Sequence, residues 1–291
     1  MINHALDRPV HPVKRKKRID IGAIIAFIVL VLFSILMLLP VFFMVSTALK
    51  SDSEMLVFPP TWIPHPFVWS NFTRLFSELA FGTYFKNSII YAVFAVLGEL
   101  ISSSLVAYGF ARFRAKGKNI LFMILLSTMM LPYPAVMIPQ FLLFKKLGWV
   151  DTLLPLIVPT YFGSAYLIFL LRQFFTTLPE ELFEAARLDG CSEFRMFWQI
   201  ALPLSGAALA TAAIFSFVYH WNNLLAPVIY LSSESSYTLP IGMASMRSLY
   251  RIVPWNLLMV ASIYAVLPIV LLFFFFQRYF VEGIVLTGSK G

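Results

Sequence analysis

Six stretches of this chain are almost free of charge and long enough to cross a bilayer, at 21–48, 84–110, 119–144, 153–172, 204–231 and 256–280. A helical crossing needs about 20 mostly apolar residues, because the hydrocarbon core is about 30 Å thick. Lipid offers no hydrogen-bonding partner to an open backbone, so each stretch is predicted to be helical. The ten-residue alternation that marks a membrane β-barrel is missing from the sequence. The pattern therefore predicts an all-α membrane protein with six transmembrane helices.

The polar residues between these stretches set the orientation. With the N-terminus inside, fifteen Lys and Arg fall in cytoplasmic segments, including the run Lys14–Arg18 and the cluster Arg112, Arg114, Lys116 and Lys118, and seven fall outside. An excess of positive charge marks the cytoplasmic side, so both termini are expected to be cytoplasmic. The first apolar run is longer than the 7–15 residues of a secretory signal and lacks its small-residue cleavage pattern. It is predicted to be an uncleaved first helix behind a basic tail at 1–20. The membrane domain covers 21–281, and a Gly-rich tail, predicted to be cytoplasmic, covers 282–291.

Composition agrees. Of 291 residues, 60% are hydrophobic and 12% charged, with a mean hydropathy of +0.83; soluble domains carry about 25% charged residues. The 30 Phe, 12 Tyr and 6 Trp suit lipid-facing helices and interfacial belts. The net charge of +8 is accounted for by loop orientation and does not call for nucleic acid. A single cysteine, Cys191, excludes a disulfide within the chain.

One polar island interrupts the scheme. Residues 173–203 lie between the fourth and fifth apolar runs, and 184–203 read EAARLDGCSEFRMFWQIALP. A capping box is predicted at Thr177-Leu178-Pro179-Glu180, followed by a helix with Leu178, Leu182 and Ala185/Ala186 on its apolar stripe. Gly190 suits the left-handed position that closes such a helix. Ser192 can cap a second helix, with Phe194, Phe197, Trp198 and Ala201 expected on one face, and Pro203 opens the fifth membrane helix. This cytoplasmic helix-turn-helix has two readings: an amphipathic connector lying on headgroups, or a socket for a soluble protein. Residues 180–193 carry Glu180, Glu181, Glu184, Asp189 and Glu193 against one Arg187, and anionic lipid repels acids.

The order E-A-A-x-x-D-G followed by I-x-L-P, carried here by Glu184, Ala185, Ala186, Asp189, Gly190, Ile200, Leu202 and Pro203, resembles the coupling loop of ATP-binding cassette importer permeases. Cys191, where the family usually has Ala, and Gly206, where a Pro is often found, depart from that pattern. Phe58-Pro59-Pro60 to Asn71-Phe72 is similar to the first external loop of carbohydrate-type permeases, and Trp221-Asn222-Asn223 resembles a pattern in their fifth helix. The tail from Gly283 to Gly291 is similar to that of one of the two maltose-type subunits. The resemblance implies a multi-pass protein of a bacterial cytoplasmic membrane. Its implied partners are a second, different permease chain, two ATPase subunits and an extracytoplasmic solute-binding protein. Glu184, Ala185, Ala186, Asp189, Gly190, Phe197, Leu202 and Pro203 are implied to couple to the ATPases, and Gly283, Thr287, Gly288 and Lys290 to reach toward them.

A tentative substrate path follows from polar groups inside the apolar runs. Glu99 lies near the middle of the second, where a charge must face protein or water; it could line a passage or simply bond a neighbouring helix. Tyr133, between two prolines, interrupts the third, and broken helices accompany transport sites. Trp221, Asn222 and Asn223 could meet a sugar's apolar face and hydroxyls, or make interhelical hydrogen bonds. No G-x-x-x-x-G-K-[ST] loop or metal-ligand spacing occurs, so the chain cannot bind ATP in that manner; the resemblance implies that ATP and Mg belong to the partner subunits and that the chain itself is no enzyme. A rival reading is a stand-alone ion-coupled transporter or channel using Glu99.

Overall fold

The computed structural model of the protein describes residues 21–249 and 253–288. Every regular element among them is helical. The basic tail at 1–20 lies outside the described residues. The chain divides into two units between Phe43 and Met44. The described part of the first is a single helix, which continues to Ala48 as α1 (Ile21–Ala48). The second unit holds the packed core.

The segment after α1 is pinned by α2 (Asn71–Glu78). Fully buried Asn71 donates from Nδ2 to the carbonyls of Ala48 and Lys50, both at 2.9 Å. The second apolar run becomes α3 (Phe81–Arg112), 32 residues long. At 1.5 Å per residue it spans about 48 Å, against a hydrocarbon core of about 30 Å. Its ends therefore extend beyond lipid, and Tyr108 and Arg112 are available to whatever packs there.

The third predicted helix is not continuous. It is built as α4 (Lys118–Ser127), a 3₁₀ turn at Thr128–Met130, and α5 (Tyr133–Lys146), with a bend of 94° between the two arms. Pro132 and Pro134 cause the break, since proline removes backbone donors and disfavours a helical residue before it. The fourth run is also interrupted: α6 (Leu154–Ile157) and a 3₁₀ turn at Val158–Phe162 lead to Gly163, at φ +87°, before α7 (Ala165–Phe175).

The polar island forms α8 (Glu180–Leu188), α9 (Glu193–Met196), a π-helical turn at Phe197–Ala201 and α10 (Leu202–Leu204). After a bend of 81° comes α11 (Gly206–Trp221). The predicted single helix at 204–231 is thus corrected: it stops at Trp221 and restarts as α12 (Leu225–Tyr230). Asn222 turns its amide back to the Val218 carbonyl, while Asn223 Oδ1 accepts from the Ala226 N–H, so side chains replace the helical ladder there. Next come α13 (Leu239–Leu249) and α14 (Trp255–Gly288). The helical α14 runs past 281 into the Gly-rich segment and includes Gly283, Thr287 and Gly288; Lys290 lies outside the described residues.

Among the described residues, four helical segments are long and apolar enough to span a membrane, or six if each bent pair is one span. Helix α3 is the central strut, packed along its length by α7, α11 and the 158–162 turn. One core at its C-terminal end gathers Tyr108, Leu171, Phe175, Phe183, Met196 and Phe197. Another, at its N-terminal end, gathers Phe81, Tyr84, Trp221 and Leu257.

Candidate functional site

The helix-turn-helix is a local structure bolted to α3. Gly190 has φ +80°, and Cys191 N–H reaches the Ala186 carbonyl at 2.9 Å while Gly190 N–H reaches that of Arg187 at 3.0 Å. This pair of bonds is a Schellman closure, which needs a left-handed residue at the glycine. Ser192 Oγ accepts from Arg195 N–H and caps α9. The expected capping box does not form. Pro179 occupies the cap position of α8, and the Thr177 hydroxyl donates instead to the Phe174 carbonyl.

The inward face also differs from the expected stripe. Phe183 and Ala186 are buried, whereas Leu182 and Ala185 are exposed. In the second helix Met196, Phe197 and Ala201 turn inward, while Phe194 and Trp198 remain in the open. Phe197, 3% exposed, lies 5.3 Å from the Tyr108 ring, centroid to centroid. It is an anchor rather than a surface group, because the π turn beginning at Phe197 rotates the helix face. The outward surface presents Glu184, Ala185, Asp189, Gly190 and Pro203, with Leu188 89% exposed; Leu202 is half-buried.

Beneath that surface runs a chain of charges. Arg112, its side chain 5% exposed, meets Glu180 at 2.5 Å and donates to the carbonyls of Phe175 and Leu178, both at 2.7 Å. Its guanidinium lies 4.1 Å from the centroid of the Phe183 ring. Glu180 also binds Arg187, and Arg187 binds Glu193, each at 3.1 Å. Glu193 then accepts from Tyr108 OH at 3.2 Å. The Arg187 hydrogen bond, with Arg112 behind it, holds the Glu180 carboxyl below its usual range. Two of the five acids are therefore used internally, and the outward-facing acids are Glu181, Glu184 and Asp189. Sequence reasoning missed Arg112 and Tyr108, whose only signal was a polar pair at the end of the second apolar run.

A second cluster lies between α3 and α11. Glu99 Oε2 accepts from Ser216 Oγ at 2.5 Å and pairs with His220 Nε2 at 3.1 Å. His220 Nδ1 meets Tyr91 OH at 3.0 Å, and Asn223 Nδ2 donates to the same hydroxyl at 3.1 Å. Beside Glu99 is a cavity of about 420 Å³ whose lining includes Ser164, Tyr166, Phe215, Ser216 and Tyr219. Tyr133 OH donates to Tyr230 OH at 3.3 Å and is not among the residues lining this cavity. Exposed Asn222 is spent on its own helix. Trp221 is 3% exposed and donates from Nε1 to the Ala265 carbonyl, packed between Phe85 and Phe217. That burial takes Trp221 out of the tentative path: it fastens α11 to α14. Of the predicted path residues only Glu99 lines the cavity, and Asn223 reaches it through Tyr91 and His220. Among the described residues, no three His, Cys, Asp or Glu side chains converge to hold a metal.

A family model described as "Binding-protein-dependent transport system inner membrane component" matches residues 100–285. The arabinooligosaccharides transport system permease protein AraQ of Halalkalibacterium halodurans is 38% identical over 92% of this chain and 94% of its own length. The sn-glycerol-3-phosphate transport system permease protein UgpE of Yersinia pestis is 35% identical over 90% of this chain and 95% of its own. A crystal structure of a bacterial ABC transporter involved in the import of the acidic polysaccharide alginate includes a chain that superposes with a TM-score of 0.80 at 23% identity, covering 94% of this chain and all of that one.

Proposed function

We propose that this chain, which belongs to the family of binding-protein-dependent transport system inner membrane components, forms half of a passage for a sugar or oligosaccharide and is driven at its 180–203 loop by ATPase partners. As a permease subunit of an ATP-binding cassette importer it performs no chemistry of its own. Its partners are a second permease of different sequence, two ATPase subunits that hold ATP and Mg, and an extracytoplasmic binding protein. It resides in a bacterial cytoplasmic membrane, with each bent helix pair serving as one of six spans. The distribution of Lys and Arg supports cytoplasmic termini and a cytoplasmic loop.

The observation that carries the coupling role is the pairing of an exposed acidic, small-residue surface (Glu184, Ala185, Asp189, Gly190) with an ion pair (Arg112–Glu180) whose arginine is buried at the end of a membrane-length helix. Shifting a two-state gate from 1:99 to 99:1 takes about 5.5 kcal/mol of differential binding. A loop tied to α3 by ion pairs and aromatic packing can pass such a load to the helix; a free linker dissipates it. The ion-coupled alternative draws on Glu99 as a proton or cation site, a carboxylate that here accepts from Ser216 and pairs with His220.

The test is reconstitution with the ATPases and binding protein encoded alongside the chain. Co-purification of both ATPase copies and ATP-dependent uptake are expected, with Asp189→Lys and Gly190→Pro weakening the association. Uptake by this chain alone in ATP-free vesicles contradicts the reading.

A further inference from the structure

The relatives belong to transport systems for an uncharged sugar class and for a phosphorylated compound, so family membership does not choose between them. The cavity beside Glu99 does. Its volume of about 420 Å³ falls within the roughly 300–1,000 Å³ typical of small-molecule sites and is large enough for a sugar ring. Its lining includes a carboxylate, the hydroxyls of Ser164 and Ser216, and the rings of Tyr166, Tyr219 and Phe215, but neither Lys nor Arg.

Hydrogen bonding orients the carboxylate. Asn223 Oδ1 accepts from the Ala226 N–H, which leaves its Nδ2, a group that can only donate, for Tyr91 OH. The Tyr91 proton then serves His220 Nδ1, and the His220 proton sits on Nε2, facing Glu99 Oε2. Ser216 donates to the same oxygen. The sequence Asn223–Tyr91–His220–Glu99 thus delivers donors to one carboxylate oxygen and holds the group rigidly at the cavity wall. Tyr219, 66% exposed, and Tyr166, also exposed, line the same cavity. A fixed acceptor beside flat aromatic faces complements the two sides of a sugar, hydroxyls on one and C–H groups on the other. An anionic cargo meets the reverse: a like charge with no counter-charge in the lining, which is costly away from bulk water.

We propose that this cavity is a contact point for an uncharged glycosyl unit in transit, with Glu99 accepting from its hydroxyls and Tyr219 and Tyr166 stacking on its apolar face, and that it disfavours carboxylated or phosphorylated cargo. The proposal rests on the permease reading above.

The experiment uses the complete importer in proteoliposomes with its own binding protein, and measures uptake and ATP hydrolysis together. The probes are radiolabelled arabinotriose and maltotriose as neutral sugars, with digalacturonate and glycerol 3-phosphate as anions. A neutral probe is expected to enter at least about tenfold faster than either anion. Glu99→Gln is expected to lower sugar imported per ATP about tenfold and to narrow the discrimination against anions. Tyr219→Ala, at an exposed ring, is expected to lower that ratio severalfold, and Tyr219→Phe to restore it. A merely structural role for Glu99 lowers uptake and hydrolysis in parallel and leaves the ratio unchanged, which overturns the proposal. Wild-type ratios in both Glu99→Gln and Tyr219→Ala, preferential uptake of an anion, or no uptake by an assembly whose ATPases co-purify and turn over also overturn it, while leaving the permease reading in place. If no ATPase co-purifies, the permease reading itself fails.

Discussion

Arg112 and Glu180, 68 residues apart in sequence, meet at 2.5 Å where α3 ends and α8 begins. The two partners are unequal. Arg112 is buried and serves two backbone carbonyls as well as the carboxylate, whereas Glu180 is half-exposed and can turn to water. Removing a buried group that several acceptors rely on costs more than removing the partner that solvent can replace. Arg112→Ala is therefore expected to destabilise by about 2–4 kcal/mol and Glu180→Ala by less than about 1 kcal/mol. Arg112→Lys keeps the charge but not the planar fork, and should fall between. Thermal unfolding in detergent ranks the three, and amide exchange across 180–190 reports the loosening directly.

Gly190 offers a separate prediction. A Cβ there meets nothing within 4 Å, so substitution is penalised only by the φ of +80°. For an ordinary residue the left-handed conformation costs about 1–2 kcal/mol. Gly190→Asn should be nearly neutral, Gly190→Ala intermediate and Gly190→Val worst. Measured in the assembled importer, ATPase retention should follow that order; equal retention by all three would remove the Schellman turn from the coupling surface.

Two other glycines are predicted to differ for a steric reason. A Cβ at Gly242 would overlap the ring of Tyr84, which is fully buried and hydrogen-bonded to Glu234. A Cβ at Gly98 would lie 2.5 Å from the Tyr161 ring and 2.8 Å from the Thr160 hydroxyl, but the Tyr161 ring is 45% exposed, unlike that of Tyr84. Overpacking a tight core costs about 1–3 kcal/mol, occasionally more. Gly242→Ala should lie at or above that range and Gly98→Ala at its lower end, as read from yield and melting temperature.

Asp151 joins two loops outside the candidate membrane spans. Its carboxylate accepts from the backbone N–H groups of Ser232 and Ser233 and from the hydroxyls of Ser233 and Ser236. Led by the Ser233 hydroxyl, these bonds hold its pKa well below the usual range. An unfolded Asp titrates near 3.9, so the clasp contributes fully above about pH 4 and is lost as pH falls through the lower folded value. Asp151→Asn should lower the melting temperature at pH 7 and flatten its decline below about pH 4. Asparagine tolerates the φ of +65° found here, so the exchange removes the charge and one acceptor oxygen without straining the backbone. Parallel pH profiles for the two proteins would contradict the clasp.

Apolar runs, positive-charge asymmetry and short-range grammar were legible in the sequence, because each is written within a few residues. The helical class, the breaks at Pro132–Pro134, the left-handed Gly190 and the Ser192 cap all belong to this group. Thr177 failed as a cap because Pro179 stands at the head of α8 and the Thr177 hydroxyl donates back to the Phe174 carbonyl. Phe194 and Phe197 part company because a π turn changes the angular step on which periodicity depends.

By itself the sequence determined that the chain is a helical membrane protein with a polar, acid-rich loop, since bilayer thickness and backbone hydrogen bonding leave no other solution for runs of that length. Only the tertiary structure decided which polar groups meet. Glu99 and His220 are 121 residues apart and Arg112 and Glu180 are 68 apart, and no local propensity encodes a partner at that distance. The physical reason is that a charge in an apolar run demands a partner but does not specify one. The packing of α3 against α7, α8 and α11 makes the choice.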